Sequence, residues 1–389
     1  MKSSLAFLRD HVGPVVIAFA IALAIAQVDF VKRFENVTLD RRTVWRAKFT
    51  PEFVPEPMVI GIDDTSVEKI GRWPWDRRWH GEFMVLAARA QASVIAWDIL
   101  FSEPQTGDPV NDDTLINGTL FARKRGTEVV FGGFTFNDVT PDTQPGTEVL
   151  MPVTQPLDRV EGDVSRVHGG KYLLPPLPSL QQAAHFGTVD TPPGFDGTRR
   201  VVPLIARASD RIYASLSLQA VLRHWKVKPE DVRVRLGDAV YVRTPEGEQR
   251  IPIDETGGYF VNYRFGLEGA ARAGFWTLVD AWKKAAAGTG SGDFPSVASK
   301  VLVVGQMSEA LTDNGPSPFG ALTPLVLVHA NVIDNILRND FARQASTLWI
   351  WLSAVAVSIG GLAAFSKRAL LAQGAFALIL PLIYAGAAF

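Results

Sequence analysis

Three long stretches without a single charge constrain this chain more than any other feature. They are Val12 to Val28, Ala345 to Ser366 and Ala369 to Phe389. A membrane-spanning helix needs roughly 20 apolar residues, with about 17 as the lower limit. The first stretch is short for a span and the other two are ample. Between the first and second lies a long run of mixed polar and apolar sequence that must fold around its own core. The expected layout is a cytoplasmic N-terminus (1–11), a first transmembrane helix (12–31), a folded domain (32–343) and two further transmembrane helices (344–366 and 369–389).

Charge sets the expected orientation. Lys2 and Arg9 precede the first span, and Lys367 with Arg368 form the turn between the second and third. Cytoplasmic flanks collect Lys and Arg, so both sites read as cytoplasmic and the domain as external. In a bacterium this is a multi-pass protein of the inner membrane with its main domain in the periplasm. Arg41, Arg42, Arg46 and Lys48 oppose that count and are assigned to the folded domain. Ala24-Ile25-Ala26 mimics a signal-peptide cleavage site. The helical spacing of Phe30, Phe34, Val37 and Val44 instead favours an anchor whose helix continues outward. That stripe either packs on the domain or forms the stalk of a homodimer.

The chain has 389 residues, no cysteine and a formal net charge of −1. Disulfides, cysteine-bound zinc and thiol nucleophiles are thereby excluded. Nucleic acid is not an expected partner, because its binders are typically basic. The domain reads as α/β. Met58–Asp63, Ser93–Ile99 and Glu128–Gly132 are strands that alternate with helices at Thr65–Ile70, Trp79–Ala92 and Asp112–Arg125. This order predicts a parallel or mixed sheet with flanking helices. Residues 135–180 are rich in Pro, Gly, Asp and Thr and read as an irregular insert. Phe186–Asp190 and Val201–Ala206 read as paired strands around a turn-rich loop. Val232–Arg235 and Ala239–Arg243 read as a hairpin. Tyr259–Tyr263 and Val301–Gly305 are further strands, and Val328–Leu337 is a last helix.

Several side chains are candidates for binding. Asp63, Asp64 and Asp98 follow or end buried strands, where ligands of open α/β sheets bind. Asp63 and Asp98 could hold a divalent cation through oxygen. The structural alternative is that Asp63 and Asp64 cap the next helix and Asp98 pairs with Arg77 or Arg200. Trp73 and Trp75, around Pro74, offer either an aromatic wall for a ligand or a plug beneath the loop. Arg77 could clamp an anion or make a structural ion pair. His329 could act as a pH sensor or ligand donor, or sit as a core histidine. Glu103 and Arg200 complete the candidate set. Dinucleotide, Walker, His-Glu-x-x-His and Gly-x-Ser-x-Gly motifs are absent from the sequence, so no catalytic residue is expected.

Five separated segments, in order, resemble the CHASE2 domain, an extracytoplasmic sensor module of bacterial receptors. They are Val59-Ile-Gly-Ile-Asp63-Asp64-Thr-Ser66; Gly71-Arg-Trp73-Pro-Trp75-Asp-Arg77; Val94 to Pro104; Gly187 to Asp190 with Asp196 to Leu204; and Val301 to Gly305 with Thr323-Pro324 and His329 to Leu337. The segment Asp313 to Phe319 departs from the family's pattern, and no glycine lies between Pro324 and His329. The resemblance implies a receptor that detects an unknown small-molecule or ionic ligand. It further implies signalling to a cytoplasmic output domain absent from this chain, with a class III adenylate cyclase favoured over a diguanylate cyclase or kinase. Such receptors carry one more membrane helix before the output, so the chain reads as part of a longer protein. The alternatives are a membrane-anchored periplasmic enzyme with a divalent-metal site and a partner-binding scaffold.

Overall fold

The computed structural model describes residues 29–50, 53–105, 110–137, 156–289, 296–308 and 313–342. The chain divides into two compact units, one of residues 1–46 with 343–389 and one of residues 47–342. The described part of the first unit lies in one helix, α1 (Asp29–Lys48). Val37 and Trp45 are exposed on it.

The expectation of three transmembrane helices is corrected here. Among the described residues, no helix is long and apolar enough to cross a membrane. Helix α1 has the length, but Asp29, Lys32, Arg33, Glu35, Asp40, Arg41, Arg42, Arg46 and Lys48 make it strongly charged. It takes in the last three residues of the expected first span. The rest of that span, and the spans expected at 344–366 and 369–389, lie outside the described residues.

The second unit is built on one seven-stranded sheet. Its strands are β1 (Met58–Ile62), β2 (Val94–Leu100), β3 (Glu128–Phe136), β4 (Tyr172–Leu174), β5 (His185–Thr188), β6 (Arg272–Gly274) and β7 (Val301–Gln306). The order is β6-β1-β7-β2-β3, and β3 then pairs with both β4 and β5. Every pairing is parallel except β3 with β4. The α/β expectation of a mixed sheet with flanking helices holds. The late strand β7 inserts between β1 and β2, so the two first strands are neighbours in sequence only.

Side chains alternate between the two faces of the sheet, as the two-residue period of a strand requires. Ile60, Ile95, Trp97, Phe131, Leu302 and Val304 point to one side. There they meet α3 (Arg77–Arg89), α4 (Val110–Lys124) and α7 (Phe275–Ala286). Val59, Val94, Ala96, Val130, Val301 and Val303 point to the other, against α6 (Leu216–His224) and α8 (Val326–Leu337). The short α2 (Asp64–Ile70) follows β1, and α5 (Pro178–Ala183) precedes β5. A parallel sheet covered on both faces is the arrangement such strands need. On the first face, α3 and α4 touch backbone to backbone. A Cβ added to Gly81 would sit 2.4 Å from the Thr114 carbonyl oxygen, so only glycine fits.

Part of the expected irregular insert forms regular structure. Residues 138–155 lie outside the described residues, but Val160–Glu161 adds in parallel to Val232–Arg235. The expected hairpin of Val232–Arg235 with Ala239–Arg243 is present, its second strand running to Thr244, and it continues into Gly247–Pro252. The pairing expected between Phe186–Asp190 and Val201–Ala206 is not. The first run joins β3 in parallel, and Val201–Pro203 pairs antiparallel with Gly258–Phe260. The Phe186 run extends the parallel sheet, Val201–Pro203 joins a separate two-stranded ribbon, and Ile205–Ala208 pairs antiparallel with Arg211–Ala214.

Candidate functional site

The carboxyl ends of β2, β3 and β7 open into a cleft of about 1010 Å³. Strand β2 places Asp98 there by alternation: Val94 and Ala96 face α6 and α8, and Asp98 takes the next position on that side. The β2–β3 register shifts between Trp97 and Leu100, a bulge of the kind that re-aims side chains beside functional sites. Gly305 of β7 lets α8 come close, since a Cβ there would lie 2.7 Å from Val326 and 3.3 Å from Asp98. Helix α8 can thus bring His329 against the end of the sheet.

Asp98 and His329 face each other on the floor, with Nε2 and Oδ1 3.7 Å apart. Asp98 is 8% exposed and His329 3%. Asp98 Oδ2 and His329 Nε2 have no hydrogen-bond partner among the described residues. His329 Nδ1 is bonded to Ser217 Oγ at 2.9 Å, and that hydroxyl also reaches the His329 carbonyl at 3.4 Å. Burial pushes the Asp98 carboxyl up to about 7 and the His329 imidazole down to about 4, against the pull of the Asp313 and Asp190 carboxylates. Asp313, half-buried at the cleft edge, is pushed up to about 6 by burial and then by the charge of Asp98. Asp190 accepts from Thr135 Oγ1 at 2.9 Å and has His168 Nε2 at 4.0 Å. Burial raises it also.

An aromatic cage forms another wall. Trp73 and Trp75 meet edge to face at 5.1 Å. The His80 ring sits among Trp73, Trp97, Phe101 and Phe275 at 5.2 to 6.0 Å. Neither nitrogen of His80 has a partner among the described residues, and burial pushes it down to about 3. An unpartnered buried polar group costs free energy, and orphaned atoms on three residues lining one cleft mark a site shaped for something other than stability.

The candidate residues divide sharply. Trp73, Trp75, Arg77, Asp98, Glu103 and His329 all line the cleft. Arg77 is engaged there, paired with Asp112 and donating to the Glu103 carbonyl. Trp75 is buried and donates to the Gly71 carbonyl at 2.8 Å, so it serves as plug and wall together. Asp63, Asp64 and Arg200 do not line it. Asp63 caps α2 by accepting from Ser66 N at 2.9 Å, Asp64 accepts from Ser308 Oγ, and Arg200 holds Asp196 at 2.9 Å. Strand β7 separates Asp63 from Asp98, and among the described residues no group of three or more acids and histidines is arranged to hold a metal ion. Sequence reasoning missed His80, Thr135, His168, Asp190, Arg199 and Asp313. Asp190 had a usable signal, being the acid that ends the expected strand Phe186–Asp190.

Below His329, α8 is buried on all sides and its polar residues hold backbone. Asn331 Oδ1 accepts from Arg264 N at 2.8 Å and Phe265 N at 3.3 Å, and its Nδ2 donates to the Phe265 carbonyl at 3.0 Å. One turn on, Asn335 brackets Asn262 in the same way, at 3.0 and 2.9 Å. The two side chains replace a neighbouring strand for residues 262–265. At the end of the helix, Asp334 Oδ1 accepts from Glu56 N at 2.9 Å and from Arg338 Nε at 3.1 Å. Arg338 also pairs with Glu56 at 3.0 Å and donates to the Val54 carbonyl.

A family model described as CHASE2 domain matches residues 15–366. No curated protein and no solved structure matches the chain.

Proposed function

This chain belongs to the CHASE2 domain family of extracytoplasmic sensors, and from that premise we propose that the cleft beside Asp98 and His329 is where its signal is received. The carrying observation is the pair of unpartnered atoms, Asp98 Oδ2 on the sheet and His329 Nε2 on α8. A ligand that satisfies both ties the helix to the sheet. One that satisfies neither leaves their relation unchanged. Binding shifts a conformational equilibrium only through such differential contact.

Helix α8 is suited to carry the change. It begins at the cleft with Leu325 and His329 and ends in the Asp334–Glu56–Arg338 cluster, where the segment leading into β1 is fastened. The signal passes along that helix and across the bacterial cell membrane to a cytoplasmic output, with an adenylate cyclase favoured and a homodimer as the working unit.

The reading is tested by thermal-shift screening of the purified full chain in detergent against a panel of small amines, carboxylates, sugars and amino acids. Compounds that raise the melting temperature should lose their effect in Ser102→Trp, which fills the cleft from its rim. A panel with no stabilising compound, or stabilisation indifferent to the filled cleft, would overturn it.

A further inference from the structure

The cleft floor presents acceptors and almost no free donors. Ser217 has one hydroxyl hydrogen. In the tautomer in which it is directed at the His329 carbonyl, Oγ accepts from Nδ1–H and the lone pair of His329 resides on Nε2. Asp98 Oδ2 is a second unpartnered acceptor within the same buried pair. Asp313 adds a third, since its carboxyl is close enough to Asp98 and His329 to act on both electrostatically. The two orphan atoms are almost beyond the reach of water, so a head group satisfies them only by parting Asp98 from His329 as it enters, and only a compact one can.

The charges facing this point favour a cation. Asp98, Asp190 and Asp313 contribute carboxylates, and Glu103 stands at the exposed rim. Of the two arginines of the lining, Arg77 is neutralised by Asp112 and donates to the Glu103 carbonyl; Arg199 donates through Nε to the Thr191 carbonyl at 2.7 Å and keeps a charge that acts on Asp313, leaving the carboxylates in the majority. His80 and His329 are held neutral by burial. His168 lies beside Asp190 rather than Asp98. A bare metal ion fits poorly, because the described acids and histidines form no ligating group of three. Trp73, Phe101 and Phe134 line the cleft above the floor, where methylene groups pack well.

Resting on the reading of this cleft as the signal site, we infer that it takes a small organic cation. A primary ammonium head would donate to Asp98 Oδ2, His329 Nε2 and the Asp313 carboxylate, with an alkyl stem lying against the aromatic wall. An ammonium has three donors and no acceptor, which matches the floor. Binding is linked to pH with a definite sign. Asp98 and Asp313 hold their protons up to about 7 and about 6 and must ionise to hold the cation. The alkylammonium itself stays charged to about pH 10. Affinity therefore falls as pH drops through that range.

The test uses three probes of one skeleton on the full chain in detergent micelles, followed by titration calorimetry: butylamine, butanol and butyrate. Butylamine should bind at about pH 8 and at least about tenfold more weakly at about pH 5.5, and the other two should not bind. Asp98→Asn and, separately, the less buried Asp313→Asn should each weaken butylamine by about tenfold or more, with near-ultraviolet circular dichroism confirming both folds. Butanol or butyrate binding that Ser102→Trp abolishes would overturn the ammonium assignment and leave the cleft as the signal site. Butylamine binding that Ser102→Trp does not change would overturn both. Absence of butylamine binding, or binding unmoved by pH and by both Asn variants, would overturn the ammonium assignment alone.

Discussion

The two faces of the central sheet are built on opposite principles. Against α3, α4 and α7, the sheet meets a dry aromatic layer: Phe83, Trp97, Phe101, Phe275 and Trp282 interlock at ring distances of 4.9 to 5.9 Å. Its buried histidine, His80, has no partner for either ring nitrogen among the described residues. Against α6 and α8, the contact residues are aliphatic, and α8 buries His329, Asn331, Asp334 and Asn335 among them. Shape holds the first face and hydrogen bonds hold the second. Close packing tolerates little movement, whereas a polar network has discrete alternative pairings and is costly when half satisfied. The difference assigns rigidity to one side of the sheet and responsiveness to the other.

The largest effect should come from breaking the hydrogen-bonded face. Asn335→Leu strands the Asn262 amide and carbonyl and the Tyr259 hydroxyl. It should cost about 4 kcal/mol in urea unfolding. Next comes the shape-held face. Gly81→Ala drives a methyl group into the Thr114 carbonyl and should cost about 2 to 3 kcal/mol by the same measurement, while leaving ligand response intact. If Gly81→Ala abolished that response while the fold persisted, the division between the faces would fail.

The third test removes the histidine of the shape-held face. His80 takes up a proton only near pH 3 when folded and near 6.5 when unfolded. The unfolded chain therefore binds more protons between those values, and stability falls as pH drops below about 6.5. His80→Phe should abolish that part of the acid loss, gaining about 3 kcal/mol near pH 5 and about 1 near pH 7.5 in thermal melts. The smallest gain has the opposite sign with pH. Asp98 keeps its proton up to about 7 in the folded state, so stability is sapped as pH rises from about 4 to about 7. Asp98→Asn removes a loss of about 4 kcal/mol that builds between pH 4 and pH 8, but its amide brings unpartnered atoms at every pH, so the variant should gain only about 1 kcal/mol near pH 8 and cost about 3 near pH 4.

Much of the sheet was legible because buried strands announce themselves. Met58-Val-Ile-Gly-Ile and Val301-Leu-Val-Val-Gly are short apolar runs with no helical period, and both are strands. Their order was not legible. The position of β7 between β1 and β2 depends on contacts separated by more than two hundred residues. The Phe186 run went astray because an apolar run flanked by turns fits a hairpin or a sheet edge equally well. Strand-end logic pointed to Asp98, which lines the cleft, and to Asp63, which caps α2 instead, since an acid after a strand is also the first choice for a helix cap. The aromatic turn revealed Trp73 and Trp75, and periodicity placed His329 on a helix. Asp313 could not be found this way. It sits in a loop without period, and its chemistry comes from the two groups opposite it.

The fastening of residues 54–56 to residues 334–338 has a practical consequence. Near the two ends of the second unit, residues 54–56 and 334–338 run side by side, bonded to one another. Such a unit is a natural cassette. Spliced into a surface turn of an unrelated host enzyme, it needs only short spacers, and the host's cut ends remain as close together as they were before surgery.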